Sequence, residues 1–172
     1  CEFDHGENNN RSRNWGSDVA GEAFKRQQMR NLFAAMLVSH GTPMLLGGDE
    51  WMRTQLGNNN AYSTGADNAY NWFRWGDWQA SDERNRMHDF VRDTIQFRKD
   101  HEYAFAPKEY GESAPFSWKN PSNADMQPAD WDGRAMMAHY YDLASGPELL
   151  VIFNFVRADV AFTLPGGRVW RR

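Results

Sequence analysis

The sequence predicts an α/β segment followed by a small all-β domain, and three observations carry that expectation. Two stretches with helical apolar spacing flank a short apolar run, Met44-Leu45-Leu46, bracketed by Thr42-Pro43 and Gly47-Gly48. Such a run fits a strand buried on both faces, as in the parallel sheet of an α/β protein. From Ala106-Pro107 onward the texture changes to short apolar runs separated by turn clusters, the pattern of an antiparallel sheet or sandwich.

Bulk properties narrow the function classes. Hydrophobic residues make up 41% of the 172, enough for a packed core and too many for a disordered chain. The 19 basic and 23 acidic residues leave a net charge of −4, so nothing electrostatic favours nucleic acid or an anionic membrane. No apolar run approaches the roughly 18 residues of a membrane span, and the acidic, polar start is unlike a signal peptide. A single cysteine, Cys1, cannot form an internal disulfide framework. No His, Cys or acidic spacing reads as a metal site, and no Gly-rich phosphate loop opens a helix, so no cofactor is expected.

Residues 1–19 are polar and turn-rich, which reads either as a solvated terminus or as an ordered loop. A helix is expected from Ser17 or Asp18, as N-cap, to just before Gly41. Met29, Leu32, Phe33, Met36 and Leu37 supply its buried stripe. The apolar run 44–46 follows as a strand, and Gly47-Gly48 end it with a sharp turn. A long loop, about 49–81, comes next, and loops of that length are uncommon unless they carry function. The second helix is expected over 81–101. Ser81 is its N-cap, Asp82 and Glu83 occupy the first turn, and Met87, Phe90, Val91, Thr94 and Ile95 form the buried stripe. Arg98, in its last turn, reads as a solvated helix end, with pairing to a carboxylate as the alternative.

In the β-rich part, strands are expected at 116–118, 136–141, 149–155, 160–164 and 168–170. Turns at Asn120-Pro121-Ser122-Asn123, Ser145-Gly146-Pro147 and Pro165-Gly166-Gly167 separate them. Leu149-Leu150-Val151-Ile152-Phe153 is apolar on both faces and is expected to be the central strand.

The polar group beyond the first apolar run is the candidate site: Asp49, Glu50, Arg53, Gln55, Asn58, Asn59, Asn60 and Tyr62. Ligands of parallel α/β folds sit on the loops at the C-terminal ends of strands. Amide side chains present paired donors and acceptors that match sugar hydroxyls. An Asn run is equally a turn former, because Asn tolerates left-handed backbone. Neighbouring residues at a strand end point to opposite sides, so Asp49 and Glu50 read as loop supports and not as a catalytic pair. Trp51, Trp72 and Trp75 are either packing residues or stacking platforms.

The run Gly-Thr-Pro-Met-Leu-Leu-Gly-Gly-Asp-Glu at 41–50, with Arg53-Thr54-Gln55 and Gly57-Asn58-Asn59-Asn60-Ala61-Tyr62, resembles the last barrel strand and following loop of isoamylase-type debranching enzymes of the α-amylase superfamily, glycoside hydrolase family 13. Residues 68–78 and 96–101 are similar to further segments of that family, and Gly6-Glu7-Asn8-Asn9 with Asn14-Trp15 matches it more loosely. The resemblance implies the last part of a (β/α)8 TIM barrel (helix 7, strand 8, helix 8) over 1–105, then an antiparallel β-sandwich domain over 106–172. It also implies hydrolysis of α-1,6 branch linkages in glycogen- or starch-type glucans by the retaining route; the cytoplasm is the default compartment, with a plastid or secretion as the alternatives. Arg53, Asn58, Asn59, Asn60 and Tyr62 would contact the branched α-glucan, with Asp49 and Glu50 supporting the loop. No segment resembles the family's three catalytic carboxylate motifs, which are expected upstream of Cys1. Strand 44–46 would therefore need the remainder of the barrel as its partner. The rival readings are a non-catalytic glucan-binding module and another activity of the superfamily: pullulanase, trehalose-forming hydrolase or α-1,4 amylase.

Overall fold

A computed structural model describes residues 17–55, 67, 69, 71–108, 115–141, 143 and 146–171. The chain divides into two compact units, one ending at Asp100 and the other beginning at His101.

The first unit is built on two helices. Helix α1, Ser17–Leu37, is interrupted at Gly21, whose backbone (φ 80°, ψ 173°) is not helical. Helix α2, Asp82–Asp100, is continuous, and the Ser81 hydroxyl accepts the Arg84 backbone N–H at 3.3 Å, as an N-cap should. The periodicity predicts which faces meet. Phe33, Met87 and Val91 form the buried centre, with Met29, Met36, Leu45, Met52, Phe90 and Ile95 packed around it. Met87 and Val91 are each only 1% exposed; sequestering side chains of this size stabilises by about 1.5–3 kcal/mol apiece.

One expectation of the apolar stripe fails in this unit. Leu32 lies on the predicted stripe of α1 but is exposed. The run 44–46 forms no ladder with any strand among the described residues. Leu45 packs on the core cluster, whereas Met44 is 90% exposed and Leu46 is also exposed. A strand is completed by backbone partners, and the described residues place none beside this run.

Arg98 also departs from expectation. In place of a solvated helix end, its guanidinium donates to the carbonyls of Leu37 (2.6 Å), Ser39 (2.7 Å) and Gly41 (2.5 Å). The carbonyls at a helix C-terminus lack intrahelical donors, and here a cation from the other helix supplies them. Helix α1 accordingly ends at Leu37, and residues 38–41 form the exit turn.

The second unit carries the short helix α3, Glu102–Phe105, and three antiparallel strands: β1, Phe116–Lys119; β2, Ala135–Tyr140; and β3, Leu149–Asn154. Their order is β1-β2-β3, with Trp118 opposite Ala138 and Ala138 opposite Val151. Phe105, with no exposed surface, sets its ring edge against Tyr140 at 5.2 Å. The turn after β1 forms where the sequence places it. Asn120 Oδ1 accepts the backbone N–H groups of Ser122 and Ala124 at 3.1 and 3.0 Å, and Asn123 adopts the left-handed backbone (φ 68°) that Asn tolerates.

The central strand is β2, not the more apolar 149–155 run. Ala135, Met137, Ala138, His139 and Tyr140 are all buried, whereas among the described residues β3 lies at the edge of the sheet, with Ile152 and Asn154 exposed. Residues 160–164 and 168–170 are not strands either. Thr163 N–H donates to the Pro121 carbonyl (2.8 Å) and Trp170 Nε1–H to the Pro165 carbonyl (3.0 Å). Glu148 adds a further tie, its carboxylate lying 2.8 Å from His139 Nε2 and 2.5 Å from Arg168 Nη2. The described residues thus show one three-stranded antiparallel sheet.

Candidate functional site

The turn after Leu46 organises the candidate site. Gly48 is buried and has φ 100°, and a Cβ built on it would lie 2.7 Å from Arg53 Cδ. Only glycine meets both demands, the left-handed backbone and the close approach of the arginine stem. The Gly48 carbonyl accepts the backbone N–H groups of Trp51 (3.1 Å) and Arg53 (2.9 Å), and the Met52 N–H bonds to Asp49 O (3.0 Å). Residues Asp49–Trp51 thereby wind into a 3-10 turn.

Within this turn Glu50 and Asp49 have different surroundings. Glu50 Oε2 accepts the Gly48 N–H at 2.7 Å, so its carboxylate folds back and ties the turn together. Asp49 lines an apolar groove of about 360 Å³ between α1 and residues 44–46, with Leu32 and Met36 among its other walls. Burial pushes the Asp49 carboxyl above its ordinary range; the Arg53 guanidinium opposes that rise and the Glu50 charge adds to it. A half-buried carboxyl against methyl groups holds its charge reluctantly. Arg53 Nη1 reaches Gln55 Oε1 at 3.3 Å. The structure thus gathers Asp49, Glu50 and Arg53 around one glycine. Asn58, Asn59, Asn60 and Tyr62 lie outside the described residues, as do Gly6–Asn9 and Asn14-Trp15.

The three tryptophans separate by environment. Trp51 is buried, edge-on to Phe73 with centroids 5.2 Å apart, and is a packing residue. Trp72 is 53% exposed, its indole N–H donating to Asp67 Oδ1 at 2.6 Å. Trp75 is 78% exposed and touches Phe73 edge-on at 4.5 Å. Such a ring keeps an apolar face open to solvent.

A comparison with known sequences decides the family. No protein-family model matches the chain. Over 94% of its length it is 33% identical to the glycogen operon protein GlgX homolog of Mycobacterium tuberculosis. It is 32% identical over 86% of its length to the isoamylase of Pseudomonas amyloderamosa, and 31% identical over 93% to the chloroplastic isoamylase SU1 of Zea mays. The chain belongs to the isoamylase-type debranching enzymes of the α-amylase family. It spans 26%, 19% and 20% of the lengths of these three relatives, so it corresponds to about a quarter of an isoamylase-type enzyme or less.

Sequence reasoning missed two residues that shape this isoamylase-type loop. Phe73 stands 3.0 Å from where a Gly47 Cβ would be and contacts both Trp51 and Trp75. His88 of α2 stacks on Trp78 at 4.9 Å and lies 6.2 Å from Trp51. The sequence signal for Phe73 was the aromatic density of 72–78, which marks a loop that packs as well as one that binds; nothing in the sequence singled out His88. Among the described residues no group of three or more His, Cys, Asp or Glu side chains could hold a metal ion, and no helix is long and apolar enough to cross a membrane.

Proposed function

We propose that this chain is part of a glycoside hydrolase that cleaves α-1,6 branch linkages in glycogen- or starch-type glucans with retention of configuration. The observation that carries the reading is the match at 31–33% identity along most of the chain to relatives named GlgX and isoamylase. Retention requires two carboxyl groups about 5–5.5 Å apart, one as nucleophile and one as acid/base. The carboxylates of the 47–55 turn are not assigned to this pair, since Glu50 is engaged by the Gly48 N–H and ties the turn together. The reacting carboxylates are therefore assigned to the remainder of the enzyme, and this chain taken alone is inactive.

In this reading the chain contributes one wall of the glucan cleft. Arg53 and the segment Asn58, Asn59, Asn60 and Tyr62 contact sugar hydroxyls, Asp49 and Glu50 support the loop, and Trp75 offers an aromatic face. The apolar groove beside Met44 and Leu46 seats the rest of a (β/α)8 barrel, and the β-unit belongs to a larger sandwich. The enzyme acts in the cytoplasm.

The test is a pair of assays on a branched glucan. Reducing-end release is measured for the complete enzyme carrying this segment and for the 172-residue chain, alongside glycogen retention in an affinity gel. Debranching by the complete enzyme, lost in the chain, bears the proposal out. Glycogen retention with no debranching by either would favour a binding module. Release confined to α-1,4 linkages would move the assignment to an amylase.

A further inference from the structure

We propose that Arg98 is the positioning residue for the loop that carries Asp49, Glu50 and Arg53, an inference resting on the glucan-cleft reading above. Its guanidinium gathers three carbonyls, Leu37, Ser39 and Gly41, from 57 to 61 residues earlier in the chain. A planar fork with five donors can serve several acceptors at fixed angles, which an ammonium cannot do to the same degree. Gly41 holds a left-handed backbone (φ 94°), so the direction in which the chain leaves α1 is decided at the carbonyls that Arg98 grips.

The sparse bonding of the next residues makes that grip consequential. Among the described residues no backbone hydrogen bond joins residues 42–45 to another backbone group; the next one is Asp49 N–H to Leu46 O, at 3.1 Å. The segment is thus pinned at its entrance by Arg98 and at its exit by the Gly48 turn, where Glu50 and Arg53 close on one glycine. Between these points Leu45 alone reaches the core cluster. Releasing the entrance frees the stretch that delivers Gly47-Gly48 to its place. Charge-assisted bonds to carbonyls are the stronger kind, so a neutral side chain of similar length is a severe loss.

The experiment is hydrogen exchange on the full 172-residue chain, comparing wild type, Arg98→Met and Arg98→Lys. The amides of Gly48, Met52 and Arg53, all hydrogen-bonded within the turn, are expected to exchange about tenfold faster or more in R98M by local opening. Val91 and Ile95 amides in α2 keep their protection, and R98K falls between the two. Glycogen retention in an affinity gel is expected to fall in R98M and recover in part in R98K. Unchanged exchange at Gly48 and Arg53 in R98M overturns the proposal. So does equal loss of protection in both helices and the turn in both variants, which would make Arg98 a general prop of the unit. Should the wild-type chain show no glycogen retention, the cleft reading falls while the exchange data still decide the positioning role.

Discussion

Two apolar runs of this chain, 44–46 and 149–153, look alike in sequence and end in unlike places. Both are expected to be strands buried on both faces. The first forms no ladder, with Met44 almost fully exposed and only Leu45 against the core. The second pairs with β2 along its whole length yet, among the described residues, lies at the edge of the sheet with Ile152 exposed. The difference lies in where a partner is found. For 149–153 the partner strand is a near neighbour in sequence, Ala135–Tyr140, and a short connection closes at little entropic cost. For 44–46 no such neighbour exists among the described residues, and the run is steered by Arg98 at one end and the Gly48 turn at the other. Apolar composition states a need for cover; it does not name what provides it.

Substitutions can sharpen or break this contrast. The largest effect is expected at the strand that covers 149–153. Met137 is fully buried at the middle of the sheet, so Met137→Ala should cost about 2–5 kcal/mol in denaturant unfolding. Ile152→Ala on the edge should cost much less, and equal losses would mean that β3 is central after all. Next is the turn that steers 44–46. Gly48→Ala meets both a left-handed backbone and the Arg53 stem, and should cost on the order of 1–3 kcal/mol. The same unfolding experiment checks it, and a neutral outcome would show that the turn relaxes freely.

Proton linkage separates the two regions by sign. In the β-unit the Arg168 guanidinium holds the Glu148 carboxyl below its ordinary value of 4.5; burial opposes this, and His139 adds a further pull downward. A depressed folded pKa means stability that is present above the unfolded value and lost as pH falls through the folded one. Glu148→Gln should therefore flatten the acid side of the melting-temperature profile below about pH 4.5. Asp49 runs the other way, because its carboxyl is raised by burial. Its folded state is favoured at low pH, and that advantage disappears as pH rises through the folded pKa. Asp49→Asn should then raise the melting temperature at about pH 7 and lose that gain in acid. A uniform shift at every pH would contradict it.

The smallest effects belong to the exposed side chains. Met44→Ala and Trp75→Ala should each change stability by under about 0.5 kcal/mol, since both are largely exposed. Trp75→Ala is nevertheless expected to weaken glycogen retention in an affinity gel, which Met44→Ala leaves unchanged. Equal retention of the two variants would remove Trp75 from the cleft.

Much of the helical unit is legible in the sequence because its signals are local. The stripe through Met87, Val91 and Ile95 repeats at the helical period and marks the face of α2 that meets α1. Gly48 is legible as a turn, and the Asn120–Asn123 turn as a break between strands, since backbone preference belongs to the residue itself. The long polar motif from Gly41 to Tyr62 points to the isoamylase-type family through its residues alone. Arg98 is not legible, because a basic residue near a helix end looks solvated until the other helix's carbonyls are seen beside it.

By itself, then, the sequence determined the two helices, the turns at Gly48 and Asn120–Asn123, and the family. Tertiary structure alone decided that Ala135–Tyr140 is the central strand, that Phe73 lies over Gly47, and that one arginine closes the end of α1. The physical reason is range. Periodicity and turn preference act over a few residues, whereas ladder partners, ring contacts and the three carbonyls around Arg98 join groups that the fold brings together from far along the chain.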